Sequence, residues 1–471
     1  MAGHPATTCF HYAKEVIMTN IPGIIGLVLG LAVLSVLIYK RVPAILAALA
    51  ATVVVSLFNH ADLWDSFTNL FNGIGSTFGT YFPIFFFATI YGKLMSDTGC
   101  ANAIADFFIR LFGQNSVVLV ISVTTALLVY GGVTAMVVAF TVFPLGVSLC
   151  RKANITKKLL PAIIQLGQAT FALTALPGTP QLNNIIPAAY LGTSSTAAPV
   201  LGMIATVIMF GLGYAYLTHE VKKSKARGEF FDENSLRPGS VSELSGDDLP
   251  KPLPAFMPIF LLIGLYMVLE RVSFGDYSLK AHNPYAPVCT AMIISIVYLL
   301  ALGVFMKRKD TVISSVKKSA LEWVGPLLSF SIVVGFGRVI SSTEGYAALV
   351  STVTGLNMNP YVSAALSVTL LAGVTGSASG GINIALSSES LVASWTSKLT
   401  TPAQLAALHR IISVSSCGLD SLPHCGGILA TLDVCQESHA TSYKYIFVIT
   451  VLFTLVAAAV LVLLASLGLT M

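Results

Sequence analysis

The chain has 471 residues, 55% hydrophobic and only 10% charged, with a formal charge of +5; its mean hydropathy is +0.82. A soluble globular domain carries roughly a quarter charged residues. This composition therefore excludes an ordinary soluble enzyme or nucleic-acid-binding protein and predicts an all-α polytopic membrane protein whose main partner is the lipid bilayer.

Residues 1–20 lack the basic-then-apolar order of a cleaved signal and are read as an N-terminal extension. The apolar run 21–39 ends at Lys40-Arg41 rather than at a small-residue cleavage site, so it is predicted to stay as a helix. Further apolar stretches follow at 42–58, 78–95, 116–130, 131–150, 196–217, 256–274, 285–306, 319–341, 361–373 and 445–469. Spans need about 20 residues, so roughly ten to fourteen embedded segments are expected, half-helices included. Asn59 to Phe71, with Asp62, Trp64 and Asp65, reads as an exterior loop with an aromatic anchor. Residues 98–113 are amphipathic and are predicted to lie along an interface.

Basic residues cluster at Lys40/Arg41, at 151–158, at 222–227 and at 307–318. Basic clusters beside membrane helices mark the cytoplasmic side, which places the N-terminus outside. The hydrophilic stretch 219–255 is predicted to be a cytoplasmic linker between two membrane repeats, 21–218 and 256–471. Gly132-Val-Thr134 and Leu176-Pro177 in the first half recur as Gly373-Val-Thr375 and Leu422-Pro423 in the second, at nearly the same offset. A shared offset fits duplicated halves.

Each half also carries a Pro- and Gly-rich interruption of apolar sequence. Polar backbone at membrane depth survives only when it is buried in protein or lines a watery cavity. Matched breaks in the two halves mark the binding site of a transporter. The first break, Thr174 to Pro187, offers Thr174, Gly178, Thr179, Gln181, Asn183 and Asn184 as uncharged donors and acceptors for a small organic acid or for a cation. An extramembrane loop is the simpler alternative. In the second half, Thr375-Gly-Ser-Ala-Ser-Gly-Gly-Ile-Asn383 is a hydroxyl-rich tip. A helix starting there points free N–H groups at a ligand, with Ser377, Ser379 and Asn383 adding donors for a carboxylate. Small residues also serve close helix packing.

Glu389 follows as a possible coupling carboxylate. Arg410 precedes the second break and could attract an anion, although snorkelling to the surface is the simpler expectation. The second break, Asp420 to Gly427, carries ionisable groups inside apolar sequence, which are rare and functional. Asp420 and His424, with Ser421 beside them, suit proton coupling, although Pro423 disturbs any shared helical face. The seven cysteines show neither a disulfide framework nor metal-ligand spacing. No metal and no cofactor beyond a coupling ion is expected.

At these residues the chain resembles the gluconate permease (GntP) family of the wider ion-transporter group. The resemblance rests on Leu176-Pro-Gly-Thr-Pro-Gln181, Asn184-Ile-Ile-Pro187 and Ala197-Ala-Pro-Val-Leu-Gly202. In the second half it rests on Val374 to Gly381, Gly418-Leu-Asp-Ser-Leu-Pro-His424 and Ser442-Tyr-Lys444. It covers about 21–469. The resemblance implies a multi-pass transporter of the bacterial inner membrane that couples uptake of a small carboxylate to protons. It also implies inverted-topology repeats, discontinuous helices, re-entrant hairpins, a homodimer and elevator-like motion. Members best known for gluconate carry a His-Pro-Gly-Pro type first break and a His-Val-Asn-Asp type second break. This chain is more similar to a branch associated with short hydroxy or keto acids such as 3-hydroxybutyrate. The expected function is proton-coupled symport of a small hydroxycarboxylate, with sodium coupling as the alternative; an intramembrane enzyme or a passive channel is remote.

Overall fold

A computed structural model describes residues 5–40, 42–113, 116–130, 135–179, 181–237, 248–269, 286–354 and 358–471. Arg41, the Gly132-Val-Thr134 motif, Pro180 and parts of the linker and of the 256–274 span lie outside these residues. The described chain is helical. The first half runs α1 Pro5–Tyr39, α2 Ala44–Phe58, α3 Leu63–Asp97, α4 Cys100–Phe112, α5 Val117–Tyr130, α6 Ala135–Lys152, α7 Leu160–Gln168, α8 Phe171–Thr174, α9 Leu182–Leu191 and α10 Pro199–Ala226. After the linker come α11 Pro252–Leu269, α12 Ala286–Phe305, α13 Lys309–Ser319, α14 Val324–Ser341, α15 Glu344–Thr354, α16 Pro360–Thr375, α17 Ala378–Ser387, α18 Glu389–Thr396, α19 Pro402–Ser415 and α20 Gly426–Cys435. A last helix, α21 His439–Ser466, contains two π-helical segments, His439–Tyr443 and Phe447–Leu452.

Among the described residues, seven helices are long and apolar enough to cross a membrane, and four shorter apolar helices accompany them. Leu57, Val207, Leu127 and Phe260 face outward, as lipid-facing helices require. The chain is a multi-pass membrane protein.

Local chemistry sets the helix ends. Asp62 caps α3 by accepting from Asp65 N at 2.9 Å, so α3 begins at Leu63. The exterior loop expected over 59–71 is therefore confined to its first residues, because an N-cap carboxylate satisfies an orphan N–H at once. Pro199, Pro360 and Pro402 open α10, α16 and α19, where their missing N–H costs nothing. The predicted span 78–95 is the second half of a 35-residue helix that tolerates Pro83 inside it. α4 buries Cys100 to Ala105 and exposes Phe107, Leu111 and Phe112, an amphipathic helix as expected.

Three of the four basic clusters meet on one face. Arg151 pairs with Glu233 through Nε and Nη2 at 2.6 and 2.8 Å. Lys152 pairs with Asp106, and Lys225 Nζ donates to Ala153 O at 2.8 Å. Arg308 reaches Thr98 O at 3.2 Å and the Asp248 backbone. Helix α10 carries the basic start of the linker for two turns beyond its apolar part, to Ala226. Residues 229–237 then fold back against this basic face.

Candidate functional site

The two interruptions meet inside the protein. The first lies between α7 and α9, with α8 as a single turn within it. The second lies between α19 and α20 and holds one 3-10 turn, Leu419–Ser421. Helix α19 runs directly into the second break while packing on the first. Asn183 Nδ2 donates to Ser416 Oγ at 2.9 Å, and Ser413 Oγ donates to Asn183 O at 2.8 Å.

Helix α19 is tied to the first break by Arg410, at the heart of the helix and 0% exposed. Its Nη1 donates to Thr174 O at 2.8 Å and to Asn184 Oδ1 at 3.1 Å. Its Nη2 and Nε donate to Ala197 O at 2.7 and 3.2 Å. These carbonyls belong to the broken stretch and to the turn after α9, where no helix supplies a donor. The expectation that Arg410 snorkels to the surface fails. A snorkelling arginine needs water for its fork, whereas here the unwound backbone supplies acceptors at guanidinium geometry. Among the described residues no carboxylate pairs with it.

His409, also fully buried, extends the brace. Its Nε2 donates to Asn184 Oδ1 at 2.9 Å, and Thr193 Oγ1 lies 2.6 Å from Nδ1. Asn184 Nδ2 donates to Thr179 O and Ser195 O, both at 2.8 Å. All four polar positions of the Asn184 amide are engaged. Thr174 Oγ1 donates to Thr170 O at 3.0 Å and Thr179 Oγ1 to Ala172 O at 2.9 Å. Gln181 Nε2 donates to Val129 O, and Tyr130 OH to Pro177 O. Gly178 takes φ +84°, the left-handed region. Of the first-break candidates, then, Thr174, Thr179, Asn183 and Asn184 hold the break in shape in this conformation, and Gly178 turns it.

The second break is built differently. Ser421 Oγ donates to Asp420 Oδ1 at 3.0 Å. His424 Nε2 donates to Gly373 O at 3.0 Å, and Ser35 Oγ lies 3.4 Å from its Nδ1. Both Asp420 and His424 are buried, 8% and 2% exposed. They do not share a helical face. The 3-10 turn and the extended Leu422 separate them, and among the described residues no hydrogen bond joins them.

The hydroxyl-rich tip is the turn of a tight helix hairpin, α16 and α17. Gly376 takes φ +61°, and a Cβ there would stand 3.2 Å from His424 Cδ2. The hairpin tip therefore touches the second break, as Tyr130 at the end of α5 touches the first. Ser377 is the N-cap of α17, its Oγ accepting from Gly380 N at 3.1 Å. Ser377 and Ser379 are half-buried there. Asn383 and Glu389 are exposed.

Two positioning residues were not among the expected site residues, although Tyr443 lies in the Ser442-Tyr-Lys444 motif. Tyr443 OH donates to Ser421 O at 3.0 Å, and His439 Nε2 donates to Pro423 O at 2.8 Å. They are four apart in the first π-helical segment of α21. π-Segments often mark functional sites, and the His-x-x-x-Tyr spacing beside a broken helix was the available signal.

Residues 22–467 match the GntP family permease profile. The chain belongs to the GntP permease family. It is 33% identical over 473 residues to the "Uncharacterized transporter YxjC" of Bacillus subtilis (strain 168), covering 95% of this chain and 99% of that one. It is 25% identical over 373 residues to the "High-affinity gluconate transporter" of Escherichia coli (strain K12), covering 76% and 79%. The "Gnt-II system L-idonate transporter" of the same organism matches over 209 residues at 28% identity, covering 43% and 46%. Among solved structures, the Alcanivorax borkumensis YdaH transporter aligns at 15% identity with a TM-score of 0.36, covering 86% of this chain and 90% of that one. The chain is thus a membrane transporter of the GntP family.

Proposed function

We propose that this transporter is a proton-coupled symporter of a small hydroxycarboxylate in the bacterial inner membrane, working as a homodimer. The substrate class lies near 3-hydroxybutyrate or gluconate. The relatives named for gluconate and idonate support a hydroxylated carboxylate. The Leu-Pro-Gly-Thr-Pro and Leu-Asp-Ser-Leu-Pro-His breaks favour a short acid over a full sugar acid.

The observation that carries the anion reading is Arg410. Its charge is buried against the first break, 0% exposed, in the helix that leads into the second. Its N–H groups are bonded to neutral oxygens, so its field is undiminished by a carboxylate. In a poorly screened interior such a charge attracts an anion over several ångströms. The substrate carboxylate binds between the 376–380 tip and the second break, with Ser379 and the Ser377 hydroxyl donating. Asp420, with Ser421 on one oxygen, or His424 takes the coupled proton, so that the anion crosses with a compensating charge.

Sodium coupling is the weaker reading. At the first break the carbonyl of Thr174 and the Asn184 oxygen already accept from Arg410, whose charge repels a cation. The test is uptake of labelled 3-hydroxybutyrate into proteoliposomes. Gluconate, glycerate, lactate and citrate serve as competitors, with sodium replaced by choline in one arm. Uptake driven by an inward proton gradient supports the proposal. Uptake that ignores the gradient and follows sodium overturns the coupling, and citrate as the sole effective competitor overturns the substrate class.

A further inference from the structure

Helices α7 and α20 lie side by side and run in opposite directions. On the basic face Lys157 Nζ, just ahead of α7, donates to Cys435 O at the end of α20 at 3.0 Å. Further in, Gln165 Nε2 donates to Thr431 Oγ1 at 2.9 Å, and Thr431 Oγ1 donates in turn to Gly427 O at 2.9 Å. The next turn of α7 brings Gln168 level with Gly427 and Ile428, the first turn of α20.

The other faces of α7 are taken. Leu166 packs against Gly213 of α10, and Gly167 lies so close to α5 that a Cβ would collide with Ser122 O and Thr125. At about 100° per residue, Gln168 stands about 60° round the helix from Gln165. Its side chain therefore leaves α7 on the edge of the α20 face, between α20 and α5. The first break starts at the same place. Ala169 closes α7, and Thr170 turns the chain away at φ −122°, ψ −113°.

Gln168 is 2% exposed, and its Oε1 meets no donor. Among the described residues seven buried side-chain atoms lack a hydrogen-bond partner, and the other six are hydroxyls. A hydroxyl turns about one bond and can settle on a carbonyl of its own helix. A planar amide has no such recourse, and leaving its oxygen unpaired in the interior is costly. The polar candidates of the first break are all engaged within the protein, Thr174, Thr179, Gln181, Asn183 and Asn184 alike.

The position decides which ligand group suits this amide. The C-terminal end of a helix carries free carbonyls and a partial negative charge, which disfavours a carboxylate. A hydroxyl fits, because it donates to Oε1 and its own oxygen can accept from Nε2. The hairpin tip touches the second break at His424 and Cys425, where a Cβ on Gly376 would lie 3.2 Å from His424 Cδ2 and 3.8 Å from Cys425 Cα. Cys425 and Gly427 are at most about 7 Å apart, so one short molecule can meet the tip with its carboxylate and Gln168 with its hydroxyl. On the transport reading above, we propose that Gln168 recognises the hydroxyl of the transported acid and so sets a preference for hydroxylated over unsubstituted carboxylates.

The test uses the full chain in proteoliposomes, with unlabelled 3-hydroxybutyrate and butyrate competing for uptake of labelled 3-hydroxybutyrate. The parent should prefer the hydroxy acid. Gln168→Met keeps the length of the side chain and removes its polar end. In that variant the 3-hydroxybutyrate needed for half-inhibition should rise about tenfold, the loss expected for one hydrogen bond, while the butyrate needed stays unchanged. The ligand-free variant should melt no lower than the parent, because nothing in the protein loses a partner. A preference kept by the Met variant, or an equal loss for both acids, overturns the hydroxyl contact. A variant that melts well below the parent, or does not fold, shows Gln168 to be bonded within the protein and overturns it too. If the parent takes up no hydroxy acid at all, the transport reading itself fails and the role of Gln168 falls with it.

Discussion

Replacing Arg410 with Met removes the brace between α19 and the first break while roughly keeping the side chain's volume. Two buried acceptors, Thr174 O and Ala197 O, then lose the guanidinium donor, while Asn184 Oδ1 keeps His409. A buried polar group left without a partner costs about 1–3 kcal/mol, so the gross loss is roughly 2–6 kcal/mol. Relief from burying the charge returns part of this. The expected net loss of stability is about 2 kcal/mol. Arg410→Lys keeps the charge but not the fork and should fall between the two. Lys158→Met breaks only a 3.9 Å exposed pair and is the control, expected within about 0.5 kcal/mol of the parent. Denaturant unfolding in detergent micelles ranks the four proteins, and uptake per folded molecule separates stability from function. The Met variant should lose uptake even among folded molecules, because the anion-attracting charge is gone. A Met variant as stable as the parent would refute the brace. A destabilised variant with full uptake per folded molecule would refute the electrostatic role.

Three further outcomes follow from the same geometry. Asp420→Asn should abolish uptake driven by a proton gradient while leaving the fold intact, because Ser421 Oγ can still donate to the amide oxygen; gradient-driven uptake at the parental rate would remove Asp420 from coupling. Gly376→Ala should destabilise by about 1–3 kcal/mol, since it puts a Cβ at φ +61° and against His424; equal stability in the same unfolding assay would mean that the hairpin tip does not touch the second break. Lys157→Met should destabilise by about 3–5 kcal/mol by removing the cation beside the largely buried Glu437, and, because Lys157 Nζ also holds Ser235 O at 2.9 Å, limited proteolysis should then cut within 229–237; unchanged stability and cleavage would show that residues 229–237 are held elsewhere.

Much of the framework was legible in the sequence because lipid imposes it. A long apolar run has few alternatives, so α2, α5, α12 and α16 fall where their composition puts them. The breaks were legible for the same reason, since Pro177, Gly178 and Pro423 cannot continue a helix. What escaped was anything fixed by partners remote in sequence. For Arg410 the surface was the simpler reading and anion attraction the other; it is buried because carbonyls more than two hundred residues earlier are turned toward it. His439 reads as an ordinary helix residue, and Tyr443 as part of a motif without a role, until the carbonyls of Pro423 and Ser421 are placed opposite them. Asn183 and Asn184 carry ligand-like chemistry, yet their amides bond to α19 and to the break's own backbone. Residue type announces a polar need, and only the fold says whether protein or ligand meets it. The loop expected at 59–71 shows the converse, because one carboxylate at Asp62 is enough to start at Leu63 a helix that runs past Phe71 to Asp97.

The account stands on an anion seated between the Gly376 tip and the second break, in the field of Arg410. An electron cryo-microscopy map of the full chain in nanodiscs, recorded with and without saturating 3-hydroxybutyrate, tests this most directly. The account predicts added density touching Ser379 and the 420–424 turn. Density elsewhere with that space unchanged, for instance against α11 and α12, would contradict it.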